Sequence, residues 1–184
     1  MRKLRMSELN RMDVETFRQS EKIPVVIVLD RVRSLHNVGS IFRTADAFRI
    51  EAIHLCGITA TPPHPEIDKT ALGATESVPW EEFTHTLDSV KQLKKEGYHT
   101  FAVEQTTSRV WLDELELPKD VNGIAIIMGH EVTGVDQEIL EACDGCIEIP
   151  QLGTKHSLNV SISAGIVMWE LFKRLKGNIE GLPR

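Results

Sequence analysis

At 184 residues, 41% hydrophobic and 26% charged, the chain has the profile of one globular domain able to bury a sizeable core. No apolar run approaches the roughly 20 residues of a membrane span, and the N-terminal MRKLRMSELNRM lacks the apolar h-region of a secretory signal. The net charge of −6, from 21 Lys and Arg against 27 Asp and Glu, excludes a uniformly basic nucleic-acid binder.

In chain order, Arg2, Lys3, Arg5 and Arg11 crowd the first dozen residues, where a helix over 3–18 is expected. A strand over 24–29 follows, then a second basic cluster of Arg31, Arg33, Arg43 and Arg49. Within it, Val38, Ile41, Phe42, Ala45 and Phe48 fall at helical spacing and predict a helix over 38–48 with Asn37 at its N-cap. At about 100° per residue, Arg43 lies almost opposite that apolar stripe and points away from the sheet. Further strands are expected at 52–56, 99–103, 124–128 and 146–149, with a short one at 78–80. Helices are expected at 86–96, 136–142 and 159–175. The three prolines of 61–65 (TPPHP) read as a loop. Strands alternating with helices predict an α/β fold built on a mostly parallel sheet flanked by helices. With no internal repeat, linker or low-complexity tract, residues 1–184 read as a single domain with a short N-terminal helical extension over about 1–22.

Cys56, Cys143 and Cys146 are an odd, low count and not a disulfide framework, which suits the cytoplasm. The C-x-x-C of Cys143 and Cys146 has no second pair at metal spacing, so no metal is expected. The sequence contains no G-x-G-x-x-G after the first strand, no P-loop and no G-x-S-x-G elbow.

Three segments carry chemical character: 37–48 (NVGSIFRTADAF), 127–135 (IMGHEVTGV) and 149–163 (IPQLGTKHSLNVSIS). The second and third each leave the carboxyl end of a strand and open into a glycine-containing loop, where ligands of open α/β sheets bind. The helix beginning near Ser157 or Asn159 adds free N–H groups and a positive dipole end. A nucleotide-like ligand between two strand ends is the expectation. Each residue also has a plain reading: Asn37, Ser157 and Asn159 as caps, Arg43 and Glu131 as solvated charges, His130 and His156 as loop histidines.

Taken together and in this order, the segments resemble the SpoU (TrmH-like) family of SPOUT RNA methyltransferases, over roughly residues 23–175. N-x-G-x-I-x-R-T-A matches at Asn37, Gly39, Ile41, Arg43 and Ala45. G-x-E-x-x-G matches at Gly129, Glu131 and Gly134. I-P-x-x-G-x-x-x-S-L-N-V-S matches at Ile149, Pro150, Gly153, Ser157, Leu158, Asn159, Val160 and Ser161. The resemblance implies transfer of a methyl group from S-adenosyl-L-methionine (SAM) to a ribose 2′-hydroxyl of tRNA or rRNA. It also implies a C-terminal deep trefoil knot, which periodicity does not reveal, and a homodimer whose partner completes each active site. The cofactor contacts it implies are Met128, Gly129, Ile149 and Leu158, with the 104–106 loop (Gln105, Thr106) alongside. The catalytic set it implies is Arg43, Asn37, Glu131, Ser157 and Asn159. Arg43 is cast as acting on the hydroxyl proton; because arginine stays charged near neutrality, a phosphate clamp that stabilises developing alkoxide charge is the alternative. Asn37 would orient Arg43 or the ribose, and the remaining three would fix loops and nucleotide. His130, Val132 and Thr133 replace smaller or amide residues, and Gln151 stands where methionine is common. Two rival readings are an idle RNA-binding protein of the same fold and a SAM-dependent methyltransferase with a non-RNA substrate.

Overall fold

The computed structural model describes residues 1–9 and 11–178. Asn10, inside the expected 3–18 helix, and residues 179–184, inside the expected 1–184 domain, lie outside the described residues. Among the described residues, seven strands form one sheet in which every pairing is parallel. They are β1 (Ile23–Asp30), β2 (Ile50–Cys56), β3 (Trp80–Phe83), β4 (Tyr98–Val103), β5 (Arg109–Trp111), β6 (Gly123–Met128) and β7 (Gly145–Glu148). Their order across the sheet is β3-β2-β1-β6-β4-β7-β5, so β6 enters between β1 and β4, and β7 between β4 and β5.

Helices cover both faces, and the near-continuous apolar strands follow from that double burial. Val25, Ile27 and Leu29 of β1 face one core; Val26 and Val28 face the other. The first core is roofed by α1 (Val14–Gln19), α2 (Leu35–Ala47), α3 (Pro65–Ala71), α4 (Ala74–Ser77) and α7 (Val160–Leu175). The second is roofed by α5 (Thr86–Lys95) and α6 (Gln137–Ala142). Among the described residues no helix is long and apolar enough to cross a membrane.

Several expectations shift. The N-terminal helix is a short 3-10 turn (Met6–Glu8) and the six-residue α1, whose only buried side chain is Phe17. Asp13 caps α1 by accepting from Thr16 N–H, and upstream of it Leu4, Leu9 and Met12 are exposed and give a longer helix no core to pack on. Helix α2 starts three residues earlier than the apolar stripe suggests. Ser34 is its N-cap, accepting from Asn37 N–H at 3.3 Å, and Asn37 sits inside the first turn. Pro65 ends the expected loop as the first residue of α3, where a missing N–H costs nothing. Strand β3 lies at 80–83, later than the expected 78–80; α3, α4 and β5 were not expected at all.

Gly39 belongs to the packing of α2 on α3. A Cβ there would meet Ile67 O and Thr70 Oγ1, both at 2.2 Å, so only glycine admits this close approach.

Candidate active site

The carboxyl ends of β4, β6 and β7 open together on a cavity of about 670 Å³. Its apolar wall includes Val103, Met128, Ile147, Ile149 and Leu158; its polar wall includes Glu104, Gln105, His130, Glu131, Ser157 and Asn159. That volume and mixed lining suit a nucleoside-sized ligand. No Lys or Arg appears among the described lining residues, whereas Glu104, Glu131 and Glu148 do. Glu148 is paired with Arg109 Nε at 2.9 Å, so Glu104 and Glu131 are the carboxylates that favour positive charge on the ligand.

Two loops make the rim. After β6 the chain turns through 129–135, closed by a reciprocal pair of backbone bonds: His130 N–H to Gly134 O at 3.1 Å and Gly134 N–H to His130 O at 2.9 Å. Within the turn, His130 Nδ1 accepts from Val132 N–H (3.0 Å) and Thr133 N–H (3.2 Å). The ring holds its own loop. The second loop runs from β7 to α7, where Asn159 is the N-cap, its Oδ1 accepting from Ser161 N–H, Ser161 Oγ and Ile162 N–H.

One chain of hydrogen bonds joins the three sequence segments. Glu131 accepts from Arg33 N–H (3.1 Å), Ser34 N–H (3.0 Å) and Asn37 Nδ2 (3.0 Å). Asn37 Oδ1 accepts in turn from Asn159 Nδ2 at 3.1 Å. Residues 94 and 122 positions away from Asn37 thereby meet at its one amide. Partial burial pushes the Glu131 carboxyl up, but the N–H donors of Arg33, Ser34 and Asn37 outweigh it and leave the group below the usual glutamate range. A carboxylate so engaged is a weak proton acceptor and a strong anchor.

The structure separates the expected residues. Glu131, Ser157 and Asn159 line the cavity, as do Gln105, Met128, Gly129, Ile149 and Leu158. Asn37 stands behind that wall, bonded to Glu131 and Asn159 and not to Arg43. Thr106 is outside the lining, its hydroxyl buried without a hydrogen-bond partner among the described residues. Arg43 is exposed, outside the cavity lining, with no hydrogen bond or ion pair among the described residues. On α7, Val160, Ala164, Val167, Met168 and Leu171 face the core. Ile162, Ile166 and Trp169 form an exposed stripe, 56%, 37% and 48% accessible, and the Trp169 ring lies 5.7 Å from those of Phe48 and Phe172. Glu104, which opens the expected 104–106 loop, is also a lining residue, and sequence reasoning gave it no role of its own. Its signal, a carboxylate directly after a buried strand, is too common to single out.

The chain matches the SpoU rRNA Methylase family over residues 24–169. It belongs to that family. A 23S rRNA (guanosine-2'-O-)-methyltransferase, RlmB, of Vibrio parahaemolyticus serotype O3:K6 is 31% identical over 168 residues, covering 91% of this chain and 66% of that protein. The chain thus spans about two thirds of the length of the curated relatives it matches. The AdoMet-bound rRNA methyltransferase from Sinorhizobium meliloti superposes with a TM-score of 0.76 at 28% identity, over 86% of this chain and 58% of that one. The A. aeolicus TrmH/SpoU tRNA modifying enzyme gives a TM-score of 0.76 at 25% identity, over 93% of this chain and 86% of that one.

Proposed function

We propose that this family member transfers a methyl group from SAM to a ribose 2′-hydroxyl of tRNA or rRNA. The observation that carries the reading is the meeting of Asn37, Glu131 and Asn159 in one hydrogen-bonded chain beside the cavity. The relatives' names point the same way: one is a 23S rRNA (guanosine-2'-O-)-methyltransferase by its description, and another was solved with AdoMet bound.

The cavity residues fit the cofactor. Met128, Ile149 and Leu158 offer apolar surface, Gly129 offers close backbone, and the Glu104 and Glu131 carboxylates suit a cation. Bound there, SAM supplies a methyl group on a positively charged sulfur, open to an oxygen nucleophile. The chain must then orient the ribose, remove the hydroxyl proton and exclude competing water. Glu131, held by three donors, positions the 129–135 loop and the start of α2. Asn37 transmits that position to Asn159 and the N-terminus of α7. Ser157 presents a hydroxyl on the cavity wall with no hydrogen bond among the described residues, suited to the nucleotide. We assign Arg43 to the substrate phosphate and to the alkoxide charge that develops as the proton leaves for a phosphate oxygen or water.

Because Arg43 lies outside the cavity lining, its role requires a second copy of the chain. The exposed stripe of Ile162, Ile166 and Trp169 beside the Phe48 ring supports a homodimer through α7 and α2, which would cover this surface. The entry of β6 and β7 between earlier strands supports a C-terminal trefoil knot. Residues 23–175 would act as one methyltransferase domain, working in the cytoplasm, where the three free thiols stay reduced.

The test is transfer of labelled methyl from SAM to total RNA, with nucleoside analysis, comparing wild type and Arg43→Ala. Label in a 2′-O-methyl nucleoside, reduced at least about 100-fold in the variant with an unchanged melting temperature, is the expected outcome. Label in protein or small molecules, or none in any RNA pool, overturns the reading.

A further inference from the structure

Glu104 follows the last residue of β4, and its backbone N–H extends the ladder to Ile147 O at 3.1 Å. Its carboxylate has no ion-pair partner among the described residues. It is engaged by main-chain donors alone: Gln105 N–H at 2.8 Å on one oxygen and Val135 N–H at 3.1 Å on the other. The second oxygen lies against Gly134, where a Cβ would come within 2.0 Å of it and where φ is +68°. A side chain at 134 would be strained by its backbone and displaced by the carboxylate. The next residue reaches the opposite rim, Gln105 Nε2 donating to His156 O at 2.7 Å. Two successive residues on a rigid strand end therefore hold both loops of the cavity, one by a carboxylate and one by an amide.

We propose that Glu104 is a positioning residue of the cofactor site. By holding Val135 and clearing only glycine at 134, it sets the turn that carries the Gly129 backbone and the Glu131 carboxylate at the cavity wall. Gln105 does the same for the 150–159 loop. The inference rests on the SAM reading above. Glu104 acts through the loop and not on reacting atoms, so its loss weakens cofactor binding far more than it slows chemistry.

The experiment compares wild type, Glu104→Gln and Glu104→Ala by calorimetric titration with SAM, by KM for SAM and for RNA, and by amide exchange in the free protein. Losing charge-assisted bonds to two amides corresponds to about tenfold or more in affinity. Glu104→Ala is expected to raise the SAM Kd and KM by about that factor, with the KM for RNA within about twofold. Exchange at the Val135 amide accelerates by a similar factor relative to the Ile126 amide of β6 in the same sample, which separates loop release from global unfolding. Glu104→Gln falls between, because its one carbonyl can accept from only one of the two donors. Unchanged Val135 exchange, or released Val135 with unchanged SAM affinity, overturns the inference alone. Wild-type protein that binds no SAM overturns the functional reading and this inference together.

Discussion

Two polar clusters lie on opposite faces of the same sheet. The cavity-side cluster of Glu131, Asn37 and Asn159 borders solvent. On the α5 face a second cluster is sealed: His54 Nδ1 is 2.7 Å from Ser89 Oγ, and Thr86 Oγ1 donates to Asp30 Oδ1 at 2.6 Å. His54, Ser89, Thr86 and Asp30 are all buried, the His54 ring lies tilted against Phe83 with centroids 4.7 Å apart, and burial pushes the nearby Cys56 thiol up to about 12. Both clusters contain a carboxylate and hydrogen-bonding side chains. What separates them is access. The sealed groups can only stabilise or destabilise the fold, whereas the cavity-side groups connect a binding wall to two helix starts.

Acid probes the sealed side first and with the largest effect. Burial lowers His54 to about 4 from 6.5. The unfolded chain binds this proton more tightly, so the stability present above pH 6.5 is lost progressively as pH falls toward 4. The loss amounts to about 2–3 kcal/mol. Urea unfolding of wild type against His54→Gln between pH 7.5 and 4.5 checks it; parallel slopes would remove His54 from this account. The cavity side is probed next by Asn37→Asp, which places a carboxylate opposite Glu131. Destabilisation of about 2 kcal/mol at pH 7 is expected, shrinking in acid as the paired carboxyls take up a proton. Methyl transfer should fall with it, since Glu131 and Asn159 both line the cavity; thermal melts and labelled transfer on one preparation read both. Smallest is Glu131→Gln, about 1 kcal/mol or less at this exposed position. Because the folded Glu131 carboxyl is depressed, its contribution is present above pH 4.5 and vanishes below. Wild type and Glu131→Gln should therefore converge in unfolding free energy only in the acid range. Convergence already at pH 6 would show that the carboxylate anchors nothing.

The sequence made the centre of the sheet readable because β1 and β6 are buried on both faces and therefore almost wholly apolar. It hid β5 and placed β3 about two residues early; their short stretches RVW and WEEF lie at sheet edges and are largely exposed. Helix α3 was hidden by its own start: Pro65 looks like loop punctuation, and the His64 side chain that caps Glu66 N–H is an uncommon cap. The outward direction of Arg43 followed from helical geometry alone, and its exposure agrees. The Asn37 relay did not. Its partners are too distant in sequence for spacing to join them, and local pattern suggested a helix cap, a role that falls to Ser34. Resemblance grouped those residues; only the folded chain supplies the bonds.

The strand order has a consequence for synthesis. While only residues up to about 120 have been made, β4 and β5 have no neighbour to hydrogen-bond, since their partners are β6 and β7. Four of the seven strands (β4, β5, β6 and β7) pair only once residues 123–148 have been made, so these pairings close late and over long separations. A ribosome stalled within that interval would display two unsatisfied strands to the surrounding proteome, giving chaperones their clearest opening to engage this chain.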